Sequence, residues 1–156
     1  FYKIDGAINQ PKPIQKPYPP LWVCGGGEKV TLKLLAKYGD YGNWDVDVNG
    51  FTDKSNILQD HCEIVGRNYD EIGRTLHTNV LIAENQKKLD TKIEKLATYT
   101  NIPKDYYYDR PLIGTKDKVF STINEYKNAG CEYLIAYIPD IVWGDTLNYL
   151  SELNQS

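Results

Sequence analysis

Leu21-Trp22-Val23-Cys24 is a continuous apolar run set between a proline-rich stretch and three glycines, Gly25-Gly26-Gly27. A short run without polar alternation, bounded by Pro and Gly, reads as a strand buried on both faces, the kind found in parallel sheets. Glu28 to Tyr38 then places Thr31, Leu34, Leu35 and Tyr38 on one helical stripe. A strand, a glycine turn and a helix therefore follow one another directly, and this unit recurs down the chain.

Tyr41–Val46 reads as a short strand. Thr52–Gly66 reads as a helix with Ile57, Leu58, His61, Cys62 and Val65 on one face, stopped by Gly66. Thr75–Ala83 reads as a strand, strongest at Val80-Leu81-Ile82, and Asn85–Thr100 as a helix turning Leu89, Ile93, Leu96 and Ala97 inward. Thr115 caps a helix to about Ala129, with Val119, Phe120, Ile123 and Tyr126 on its apolar side. Cys131–Ile138 is the most hydrophobic strand, and a last helix spans about Val142–Leu153. Asn101–Pro111, with Tyr106-Tyr107-Tyr108, is too irregular to assign. Four strands interleaved with helices predict an α/β fold with a parallel sheet. Before them, Pro11, Pro13, Pro17, Pro19 and Pro20 make residues 1–20 an extended connecting arm, since proline removes a backbone donor.

Composition excludes several functions. Apolar residues make up 41% of the 156, enough for a core, and no run reaches the ~18–20 residues a membrane helix needs. The net charge of −3, with basic clusters no longer than pairs such as Lys87-Lys88, does not suit a nucleic-acid surface. Cys24, Cys62 and Cys131 are odd in number and far apart. They predict neither a disulfide framework nor a zinc site, and they suit a reducing cytoplasm. The chain has no methionine and opens on Phe1-Tyr2, so a processed chain or part of a longer one is expected.

The glycine turn is the most informative local feature. Glycine admits positive φ and close approach of a ligand, and amides at a helix start favour an anion such as phosphate. The spacing matches neither a dinucleotide fingerprint nor a Walker loop, and a tight turn that merely needs glycine explains it as well. His61 reads as structural or partly exposed. His77 could face a pocket, Asp45 and Asp47 read as a solvated loop, and Asp140 after Pro139 stands where a barrel strand would present a carboxylate. No Ser-His-Asp set, metal-ligand cluster or persuasive carboxylate pair is present, so no catalytic residue or metal site is assigned.

Longer stretches carry a resemblance. Residues 6–32, from Gly6-Ala7-Ile8-Asn9-Gln10-Pro11 through Pro19-Pro20-Leu21-Trp22-Val23-Cys24-Gly25-Gly26-Gly27 to Thr31-Leu32, resemble the luciferase-like monooxygenase superfamily, most of all its coenzyme F420-dependent oxidoreductases. Ala36–Asn43, His61–Ile72, Ile113–Val119 and Ala129–Ile135 are similar to later pieces of that family in the same order. The resemblance implies the C-terminal half of a (β/α)8 TIM barrel over residues 1–156, with the arm at 1–20 and the second half-barrel at 21–156. It implies a flavin- or F420-dependent oxidoreductase or monooxygenase that moves a hydride or activates O₂ on a small organic substrate. Coenzyme F420 or FMN would meet Gly25, Gly26 and Gly27, with Val23 and Cys24 lining the strand end; Cys24 stands where a glycine is common. Groups touching the cofactor ring and the substrate would come from the other half. Four strands leave two open edges and an uncovered inner face, so a missing N-terminal half, a second half-barrel or self-association is expected to cover them. The rival reading is a non-catalytic half-barrel acting as a structural or partner subunit.

Overall fold

A computed structural model describes residues 3–8 and 10–153; Phe1, Tyr2 and Asn9 of the expected arm, and residues 154–156 of the expected half-barrel, lie outside them. The described part of the arm forms neither helix nor strand and is mostly exposed.

Four strands, β1 (Trp22–Cys24), β2 (Tyr41–Trp44), β3 (Gly73–Asn79) and β6 (Tyr133–Tyr137), form one sheet in the order β1-β2-β3-β6. Every pairing in it is parallel, with Cys24 beside Asn43, Asn43 beside Thr75 and Thr75 beside Tyr133. Helices α1 (Thr31–Tyr38), α2 (Val48–Val65) and α5 (Lys116–Asn128) cover one face. There Leu32, Leu35, Phe51, Leu58, Val119 and Tyr126 pack on Trp44 and Leu76. Trp44, Phe51 and Tyr126 meet edge to face at 5.1 and 5.9 Å.

Side chains alternate along a strand, so the opposite face follows from the register. It carries Trp22, Cys24, Tyr41, Asn43, Thr75, His77, Asn79, Tyr133, Ile135 and Tyr137. Among the described residues no helix covers this face, and Trp22, Tyr133 and Tyr137 are 42%, 61% and 62% exposed. β1, expected to be buried on both faces, and β6, read as the most hydrophobic strand, are the sheet's edges and alternate between exposed and half-buried positions.

The expected strand Thr75–Ala83 is two strands in two sheets. The Val80 amide donates to Tyr137 O at 2.9 Å, closing the main sheet, and the next amide, Leu81, donates to Leu112 O at 3.1 Å. From there β4 (Leu81–Ala83) pairs with β5 (Ile113–Thr115), which the pattern did not predict. Between them lie α3 (Gln86–Thr100) and a short helix, α4 (Lys104–Tyr108), within the stretch read as irregular. This insertion has its own core of Leu81, Leu89, Ile93, Leu96, Tyr107 and Ile113. Three helix starts differ from the expectation. Asp47 caps α2 by accepting from the Gly50 amide at 2.7 Å, earlier than expected, whereas α1 begins only at Thr31. The last helix, α6 (Thr146–Glu152), likewise begins after the expected Val142.

A buried ion pair fastens the insertion to the end of the main sheet. Lys92 Nζ, on α3, donates to Asp140 Oδ2 at 2.6 Å, to Ile82 O at 2.7 Å and to Asp145. Asp140 is fully buried, and Thr146 Oγ1 donates to the same oxygen at 2.9 Å. Removing one partner strands a charge away from water. Lys92→Met should therefore lower the unfolding free energy in urea by about 3–5 kcal/mol, and Asp140→Leu added to it should recover part of the loss.

Candidate functional site

In parallel α/β sheets, ligands meet the loops at the carboxyl ends of the strands. Here that rim is built by Cys24–Gly27 after β1, Asp45–Asp47 after β2, Asn79-Val80 after β3 and Ile138-Pro139 after β6.

The glycine turn is held from behind. Gly25 has φ +100°, a region few side chains tolerate, and its amide donates to Asn43 O at 3.2 Å. Lys54 Nζ donates to Gly26 O at 2.9 Å, and a Cβ at Gly26 would lie 2.4 Å from the Lys54 side chain. His61 Nε2 lies 2.8 Å from Glu28 O, so this histidine is a structural tie. Both carbonyls are thus turned toward α2. Among the described residues, the amides of Gly26, Gly27, Glu28, Lys29 and Val30 donate to no acceptor. Free donors with their carbonyls tied back, beside Lys54 and Lys29 at the head of α1, suit a phosphate. The Glu28 carboxylate, 3.8 Å from Lys54 and largely exposed, opposes one of those charges.

The other expected site residues divide by face. Cys24 is exposed on the uncovered face, its sulfur 3.8 Å from Asn43 Nδ2. Val23 turns the opposite way and packs with the helix-side core, so only its backbone reaches the rim. His77 is exposed on the uncovered face one row beyond Thr75 and beside Ile135. Asp140 presents no carboxylate to a ligand, because the Lys92 pair encloses it. Asp45 accepts from Arg110 Nη1 at 2.8 Å, and the guanidinium lies 4.4 Å over the Tyr106 ring, whose hydroxyl accepts from Asn79 Nδ2 at 3.4 Å. The insertion thereby leans on the ends of β2 and β3. Lys54, Lys92 and Arg110 escaped the sequence reading because each acts across a long stretch of chain. The described residues contain no group of three or more His, Cys, Asp or Glu able to hold a metal ion. None of their helices is long and apolar enough to cross a membrane.

This architecture is that of half a (β/α)8 barrel, and solved structures share it. The chain aligns with an F420-dependent secondary alcohol dehydrogenase, solved with an F420–acetone adduct, at TM-score 0.69 and 14% identity over 89% of this chain and 48% of that one. It aligns with a riboflavin lyase solved with modified FMN and riboflavin at TM-score 0.68 and 12% identity, over 88% of this chain and 43% of that one. It aligns with EDTA monooxygenase from Chelativorans at TM-score 0.61 and 16% identity, over 97% of this chain and 46% of that one. The chain spans about half the length of these structures. The likeness is one of fold. No protein-family model and no curated protein sequence matches the chain.

Burial pushes the Cys62 and Cys131 thiols above their ordinary pKa. A raised thiol pKa means less thiolate, the reactive form, at any pH below it. Iodoacetamide at pH 8 should therefore alkylate Cys24 first, seen as one fast adduct by mass spectrometry that Cys24→Ser abolishes.

Proposed function

We propose that the chain is the cofactor-phosphate half of a flavin- or F420-dependent oxidoreductase or monooxygenase of the luciferase-like superfamily. The observation that carries this is the Gly25–Gly27 turn, with free amides at residues 26–30 and its carbonyls tied to Lys54 and His61. It stands at the rim where parallel barrels take their ligands, in a fold shared with enzymes solved with F420 and FMN ligands. FMN and F420 both carry a phosphate, and either, when bound, supplies the redox chemistry that protein side chains lack.

The residues of this chain would bind and orient. The amides of residues 26–30 hold the phosphate end, and Lys54 positions them by holding Gly26 O from behind. Cys24, Asn43 and His77 line the inner face beyond it, and covering that face excludes water from the ring. The small organic substrate meets the ring at the rim, and the groups that touch its reacting atoms lie on the half that completes the barrel.

Four parallel strands with an uncovered face and two open edges call for four more. A longer chain or a second half-barrel supplies them in this reading. The uncovered face equally favours a second reading, a partner subunit without catalysis, and cofactor binding separates the two.

Amide NMR of the chain titrated with inorganic phosphate, FMN and F420 tests the cradle. Shifts confined to residues 26–30, weakened by Lys54→Met, are expected; no shift with any of the three overturns the cofactor reading. Size-exclusion with light scattering should find the chain self-associated or binding a hydrophobic dye through its open face. A compact monomer without exposed apolar surface would sink the half-barrel reading.

A further inference from the structure

A second recess stands at the opposite edge of the same rim. Its walls are α3 and the loop after β6, it is an open recess of about 830 Å³, and Leu96, Tyr99, Pro139, Val142 and Trp143 line it together with Lys95. That volume falls in the range of small-molecule sites, about 300–1,000 Å³. Three features make it more than a surface dimple. Its apolar wall is left in water: Val142 is 91% and Tyr99 89% exposed, beside Ile141 at 60%. Exposed apolar residues grouped on the loop and the facing helix mark a contact site more often than scattered ones. Its two walls are bolted together: Lys92, one helical turn before Lys95, holds Asp140 and Asp145, which bracket the loop. The recess is therefore preformed and needs no closing motion. Finally, its charge is one-sided. Lys95 Nζ lies 3.9 Å over the Trp143 ring, the lining has no acidic residue, and among the described residues Lys95 pairs with no carboxylate.

We propose that this groove binds an amphipathic monoanion, with an apolar acyl or aryl body on Trp143, Val142 and Leu96 and its carboxylate on Lys95. A cation resting on an indole face without a carboxylate partner is free to take one from such a ligand. The sheet separates β1 from β6 by three strand spacings, about 14 Å. The groove and the glycine turn thus stand beside the carboxyl ends of opposite edge strands. That this anion is the substrate rests on the oxidoreductase reading; that the groove binds it does not.

Calorimetry of the 156-residue chain with decanoate, decanol and decylammonium tests it. One decanoate per chain is expected, with decylammonium much weaker. Lys95→Gln should weaken decanoate about tenfold and leave decanol unchanged, whereas Trp143→Ala weakens both. Trp22→Ala, on the open sheet face, should leave binding alone; all three residues are solvent-accessible, and circular dichroism checks their folds. Absence of decanoate binding, equal binding of decylammonium, or binding lost with Trp22→Ala but kept with Trp143→Ala overturns the proposal. Phosphate-induced shifts at residues 26–30 that persist after such a failure leave the cofactor reading standing, and their absence alongside decanoate binding refutes the cofactor reading alone.

Discussion

A parallel strand depends on cover from both sides. Its connections cross over rather than turn back, so its side chains on each face must find helices or other strands to pack against. This chain meets that requirement on one face. Trp44 and Leu76 disappear beneath α1, α2 and α5, while Trp22, Tyr133 and Tyr137 across the sheet stand open. The rest of the architecture follows from this asymmetry. The helix side supplies the core that lets the chain fold, and the open side explains why aromatic and polar residues share a surface. The stacked rings of Trp22 and Tyr41, 4.4 Å apart, bury a little of that surface against itself.

The main sheet is legible at its edges, where β1 and β6 are short apolar runs next to Pro or Gly, whereas β2 and β3 are mixed in polarity. The corner at Val80 is not legible. Val80, Leu81, Ile82 and Ala83 are all buried, and a run buried on every side has no periodicity to show that it passes from one sheet to another. The start of α2 was missed because Gly50 in the first turn argues against helix, although Asp47 three residues earlier is the cap. At the candidate site, the glycine turn could be seen in the sequence and its support could not. Lys54 lies 28 residues from the carbonyl it holds, and Lys92 lies 48 from Asp140. Ties across such distances exist only once the fold has formed.

Asp140 shows how far position alone can mislead. A carboxylate just past a barrel strand stands where ligands arrive, yet this one is enclosed, paired with Lys92 and hydrogen-bonded by Thr146. Its neighbour Gly144 has no room for a side chain, since a Cβ there would lie 1.9 Å from Asp140 Oδ2. The loop is therefore shaped around the ion pair. The residues that reach solvent at this rim are the apolar ones beside it, Ile141 and Val142.

The insertion running from β4 to β5 has a hydrophobic cluster of its own, and it joins the main sheet through the Lys92 pair, the Arg110–Asp45 bridge and the burial of Ile82 and Leu112 in the helix-side core. Substitutions at Leu89, Ile93, Leu96 or Tyr107 therefore fall on this second cluster, whereas Ile82 and Leu112 carry any change in the insertion into the core beneath α1, α2 and α5.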